Sequence, residues 1–127
     1  IVEEDGSERA GRLWDAADRV VSVRLVYPQA RAALAAARRA RRLTESALRR
    51  ATTDLETVVG QLDIVELSEG LARRAGELAE LQGLRGYDAV HLAAAETVAD
   101  AELVLVAGDT ELLGAAGRMG LATGLTR

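Results

Sequence analysis

At 127 residues and 13.4 kDa the chain suits one domain. It is 49% apolar but has one Trp, two Tyr and no Phe, so its core must come from Ala, Leu and Val. With 28% charged residues, a net charge of −4 and a mean hydropathy of +0.03 it is neither a disordered tail nor a membrane chain, and no apolar run approaches the ~18 residues of a spanning helix.

In chain order, Asp5-Gly6 is turn chemistry, Ser7 a fair N-cap, and Ala10, Leu13, Trp14 and Ala17 recur at helical spacing, which predicts a helix over 7–17. Arg19 to Val23 is a short β-branched run and reads as a strand. Leu25 to Arg42 reads as a helix with a stripe of Ala30, Ala33, Leu34 and Ala37; Pro28 is tolerable only in its first turn, so the helix starts near Val26 or Tyr27. Thr44 caps a helix to about Val59, which Gly60 is expected to end. Leu62 to Leu67 alternates as a strand, Ser68 caps a helix to about Leu81, and residues 83–86 form a loop. Asp88 to Val98 is a helix apolar on most sides, hence well buried. Glu102 to Ala107 is a nearly continuous apolar strand, as in a buried parallel sheet; Gly108 turns the chain, Asp109 caps the helix Thr110 to Met119, and Leu121 to Leu125 is a last strand. This order is α/β, most simply a parallel sheet with helices on both faces.

The absences narrow the chemistry. There is no Cys, Lys or Asn, and all 16 basic residues are Arg. That removes disulfides, thiol nucleophiles, thiolate zinc sites, Walker-A loops and Schiff bases. A single His, His91, excludes a multi-histidine metal site, and none of the four Ser residues lies in a G-x-S-x-G elbow. If the chain is an enzyme, carboxylates are its main resource, as acids and bases or as ligands of a hard cation. Asp109, directly after an apolar strand, stands where α/β folds gather ligands, though helix capping alone also explains it.

Charge is uneven. Residues 1–18 hold six acids and two Arg, whereas residues 38–50 hold six Arg against Glu45. Arg38, Arg39, Arg41 and Arg42 could grip phosphates, because the guanidinium fork pairs with them. The same stretch could instead meet an acidic partner or simply solvate a helical hairpin.

One segment is more specific. Leu84-Arg85-Gly86-Tyr87-Asp88-Ala89-Val90-His91-Leu92-Ala93 resembles the "YDAVHLA" segment of PIN-domain ribonucleases, in particular the VapC toxins of toxin–antitoxin pairs. Three further stretches resemble the family in the same order: Ile1 to Glu8; Val21 to Leu25 with Ala30 to Leu34; and Leu105 to Leu112. The resemblance implies a three-layer α/β/α domain over 1–127 with a central, mainly parallel sheet and acidic residues gathered around Mg²⁺ or Mn²⁺. It implies a metal-dependent endoribonuclease that hydrolyses tRNA or rRNA, a cognate VapB-type antitoxin, a homodimer, and a cytoplasmic location with no membrane contact. It places Asp88 and Asp109 as catalytic metal ligands and Gln29 as the third catalytic position, with Thr110 and Glu111 as possible assistants, reads His91 as packing, and makes Arg38, Arg39, Arg41 and Arg42 the candidate RNA-tracking surface.

Two departures matter. The family's first aspartate, at the end of its opening strand, has no counterpart here, so the sequence is expected to lack the native first strand. Gln29 occupies the place of a family glutamate; it keeps a carbonyl oxygen but no charge. The alternative function is therefore a catalytically impaired PIN domain that binds antitoxin or RNA. A receiver or phosphatase-like domain is disfavoured, since those folds ordinarily use a Lys.

Overall fold

The computed structural model describes Arg12 and residues 19–100, 103–107 and 110–125. Helices alternate with short strands: β1 (Val21–Val23), α1 (Val26–Arg39), α2 (Glu45–Gln61), β2 (Asp63–Val65), α3 (Glu69–Gln82), α4 (Gly86–Thr97), β3 (Val104–Ala107), α5 (Thr110–Arg118) and β4 (Ala122–Leu125). The α/β reading is borne out. Of the helix expected over 7–17 only Arg12 is among the described residues, and it is helical. The chain divides into two compact units, residues 1–64 and 65–127.

In the first unit β1 pairs with β2. Asp63 N donates to Val20 O at 2.9 Å, and Arg19 Nε to the Asp63 carboxylate. Pro28 lies in the first turn of α1, where its missing N–H leaves no hydrogen bond unmade. The expected apolar stripe is narrower than four residues: Leu34 and Ala37 are buried and Ala30 half-buried, but Ala33 is exposed. Leu34, Ala51 and Leu55 form the core between α1 and α2, with Tyr27, Ala30, Leu43, Leu48 and Val59 packed against it. Tyr27 Oη donates to Glu56 and accepts from Arg31 Nη1 at 2.8 Å, tying the two helices at the rim.

The end of α1 departs from expectation. The helix stops at Arg39, not Arg42, and closes with two backbone bonds, Arg41 N to Arg38 O at 3.0 Å and Arg42 N to Ala37 O at 2.9 Å. This closure places Arg41 at φ 62°, a left-handed conformation that costs a Cβ-bearing residue about 1 kcal/mol. Thr44 then caps α2 as expected, its Oγ1 accepting from Ala47 N at 3.1 Å. Gly60 does not end α2, which runs on to Gln61. The helix ends because Leu62 turns extended (φ −82°, ψ 147°) to enter the strand pairing with β1.

In the second unit Ser68 caps α3, its Oγ accepting from Leu71 N at 3.1 Å, and Gly83 closes it at φ 65°. Leu71, Ala75 and Leu78 make its buried stripe. Helix α4 begins at Gly86, two residues before the expected Asp88, and its Ala89, Val90, Leu92, Ala93, Ala94 and Ala95 are all buried. So many short side chains let neighbouring helices approach closely, which is how a chain without Phe fills a core. A two-point bond from Arg74 Nε and Nη2 to the Glu96 carboxylate, 2.8 Å each, joins α3 to α4. Strands β3 and β4 pair in parallel, with Val104 opposite Ala122 and Ala107 opposite Leu125. The expected burial of β3 is only partial. Val104 and Val106 are exposed, and the β4 residue beside both is Gly124, which has no side chain to cover them.

Candidate active site

Asp88 is the third residue of α4, held by the turn Leu84-Arg85 and the helix start at Gly86. A carboxylate in a helix's first turn is favoured by the unpaired N–H groups and positive end of the dipole. Its side chain is 20% exposed and is met by Arg85, whose Nη2 lies 3.3 Å from Oδ2 and whose Nε donates to the same oxygen at 3.3 Å. The sequence reading missed this counter-charge, although the i, i+3 spacing of Arg and Asp was a signal for it.

His91, one turn on, is half-buried. Burial holds its imidazole below the ordinary 6.5, while the charge of Asp88 pushes the other way and loses. His91 is therefore neutral at pH 7. The sign of its effect on stability follows: a folded-state pKa below the unfolded one contributes stability that is present above pH 6.5 and lost as pH falls through the folded value. Glu96 acts in the same direction at lower pH, since the hydrogen bond from Arg74 holds its carboxyl below the ordinary value despite partial burial. His91→Gln is expected to flatten the decline in stability just below pH 6.5, read from denaturant melts across pH, and an unchanged decline would contradict this assignment.

Gln29 lies one turn into α1, half-buried, and its N–H donates the helix's first bond, to Leu25 O at 3.1 Å. Asp109 lies outside the described residues. Thr110 and Glu111, which follow it, are exposed at the start of α5. Gln29 belongs to the first unit and Asp88 to the second. Among the described residues no group of three or more His, Asp or Glu stands ready to hold a metal ion. The chemistry at the start of α4 suits a hard cation: the Asp88 carboxylate is an oxygen ligand, and the chain has no thiol.

The basic stretch is divided. Arg38 Nε lies 3.5 Å from Glu45 Oε2, Arg49 Nε lies 3.5 Å from the other oxygen of that carboxylate, and Arg50 Nη1 donates to Ser46 at 2.9 Å. Arg39, Arg41 and Arg42 are exposed at the α1–α2 turn. Among the described residues no helix is long and apolar enough to cross a membrane.

The family model described as the PIN domain matches residues 1–117, which include α1 to α4 and the whole "YDAVHLA" segment. The chain belongs to the PIN-domain family. Its α/β fold class is that of the PIN domain. Two curated PIN-family relatives are each 46% identical over 112 residues, covering 88% of this chain and 78% of their own length. They are "Ribonuclease VapC45" of Mycobacterium tuberculosis (strain CDC 1551 / Oshkosh) and "Ribonuclease VapC49" of Mycobacterium tuberculosis (strain ATCC 25618 / H37Rv). The resemblance read from the sequence to VapC proteins is thereby borne out.

Proposed function

We propose that this chain is a VapC-type endoribonuclease toxin that uses Mg²⁺ or Mn²⁺ to hydrolyse tRNA or rRNA and is restrained in the cytoplasm by a cognate VapB-type antitoxin. The observation that carries the reading is the 46% identity over 112 residues to two proteins named as VapC ribonucleases. The proposal extends to a homodimer, the family's common assembly.

Asp88 and Asp109 would hold the cation, and Gln29 takes the place at which the family carries a glutamate. When bound, a divalent cation supplies charge stabilisation for the phosphoryl group and makes water a better nucleophile. The chain's own contribution is placement. The first turn of α4 fixes Asp88 on a helix with six buried residues beyond it, so its carboxylate is presented from a rigid base. Arg85 balances that carboxylate at 3.3 Å and is itself exposed, so it can turn toward a substrate phosphate when another cation takes its place. Burial of His91 disfavours its charged form, so it brings little positive charge near Asp88 to compete with a metal.

Gln29 favours a second reading, an impaired PIN domain that binds antitoxin or RNA without cleaving, because an amide cannot accept a proton from water and adds no negative charge. Calorimetric titration with Mn²⁺ tests whether Gln29 and Asp88 act on metal binding, and the cleavage each form supports separates the two readings. We expect Gln29→Glu to tighten binding by at least about tenfold, because affinity for hard cations rises with ligand charge. Asp88→Asn is expected to weaken it. Binding indifferent to both substitutions would remove Gln29 and Asp88 from the metal site.

A further inference from the structure

The turn between α1 and α2 carries a strain that its fold does not require. Arg41 stands at φ 62°, while the other described residues of positive φ, Gly83 and Gly120 at 65° and 81°, are glycines. The bonds that close α1 run from backbone to backbone, Arg41 N to Arg38 O and Arg42 N to Ala37 O, so the Arg41 side chain contributes nothing to them. Glycine would satisfy the same geometry at lower cost. An exposed guanidinium kept at such a position has its use outside the fold.

The neighbouring arginines sharpen the assignment. Arg38 and Arg49 share the Glu45 carboxylate, and Arg50 is bonded to Ser46. Arg39 and Arg41 instead leave the turn as exposed side chains. Among the described residues the exposed large apolar ones, Leu67, Leu81, Tyr87, Val104 and Val106, all belong to the second unit, so the first unit, which carries the turn, exposes none. A protein partner would ordinarily need an apolar anchor at the centre of its interface. An exposed turn of guanidinium groups suits a phosphate backbone, which the planar fork can grip with paired hydrogen bonds.

We infer that the α1–α2 turn is a phosphate-contacting element for RNA, with Arg41 as its principal residue, Arg39 beside it, and Arg38 holding the turn in place through Glu45. This rests on the ribonuclease reading and adds to it an element that grips the substrate backbone.

The test measures binding of fluorescently labelled pooled tRNA across a salt series, in the Asp88→Asn background so that cleavage does not interfere. Arg41→Gly is expected to raise Tm by roughly 3–5 °C, since strain is relieved. It should also weaken binding roughly fivefold at 0.1 M salt and reduce the slope of log affinity against log salt by about 0.7 to 0.9, the loss of one phosphate contact. Arg41→Lys is expected to keep most of the slope and gain no stability. Arg41→Asn, which also tolerates the left-handed region, is expected to repeat the loss of binding. An unchanged slope in Arg41→Gly and Arg41→Asn overturns the inference, as does an equal loss of binding to polyglutamate, which would make the turn a general acid-binding patch. Absence of RNA binding by the parent chain would instead overturn the ribonuclease reading itself.

Discussion

Asp88→Asn is expected to lower RNA cleavage by at least about 100-fold while leaving the unfolding midpoint nearly unchanged. The magnitude is that of removing a charged group from a centre that stabilises developing charge. The stability expectation comes from its surroundings. Asn keeps the shape of Asp and its carbonyl oxygen, and the partner that loses an ion pair, Arg85, has a side chain 80% exposed and is readily solvated. A separation of activity from stability is therefore the signature of a functional carboxylate. If cleavage persisted in Asp88→Asn, or if the variant lost activity only because it unfolded, Asp88 would be a helix-start residue and no more.

Leu92→Ala is expected to give the largest stability loss of a single truncation, about 3–4 kcal/mol, because Leu92 is completely buried in α4. That is a large share of the roughly 5–15 kcal/mol that holds a typical domain together. The effect is amplified by the neighbourhood: Ala89 and Ala95 flank it one turn before and after on the same helix, and small side chains cannot swing in to fill the gap. Leu81→Ala is the internal control. Leu81 is 72% exposed at the end of α3, and its truncation is expected to change stability by less than about 0.5 kcal/mol. Chemical denaturation of the two variants gives the comparison. Similar losses would mean that the core does not lie where α4 packs.

The parts of the fold that could be read in the sequence are those set by local chemistry. Thr44 and Ser68 announce helices because a hydroxyl in the right place satisfies an N–H three residues on, and both do so at 3.1 Å. Gly83 ends α3 because its φ of 65° is costless without a Cβ. Where the deciding partner is distant, the signal fails. Gly60 looked like the end of α2, but strand pairing at Asp63 decides the boundary. Arg41 gave no sign of ending α1, since arginine is an ordinary helix former and its left-handed backbone is a cost of the turn. The Arg74–Glu96 bond spans 22 residues and follows no periodic pattern. For the site, the "YDAVHLA" segment pointed to Asp88 and the structure supplied its partner Arg85, 3.3 Å away, which the motif does not specify. Asp109, read with equal purpose, lies outside the described residues.

The central claim is that this PIN domain cleaves RNA with the residues it carries. The most direct measurement incubates the full-length gene product, free of antitoxin, with pooled tRNA and rRNA in Mn²⁺, in Mg²⁺ and in chelator, and determines the chemistry of any new ends. The forms to compare are Gln29 as it stands, Gln29→Glu, and Asp88→Asn. The account predicts metal-dependent cleavage by the Gln29 form that leaves 5′-phosphate and 3′-hydroxyl ends, rises in Gln29→Glu and disappears in Asp88→Asn. Folded protein that cleaves nothing in any form, with or without metal, would contradict it.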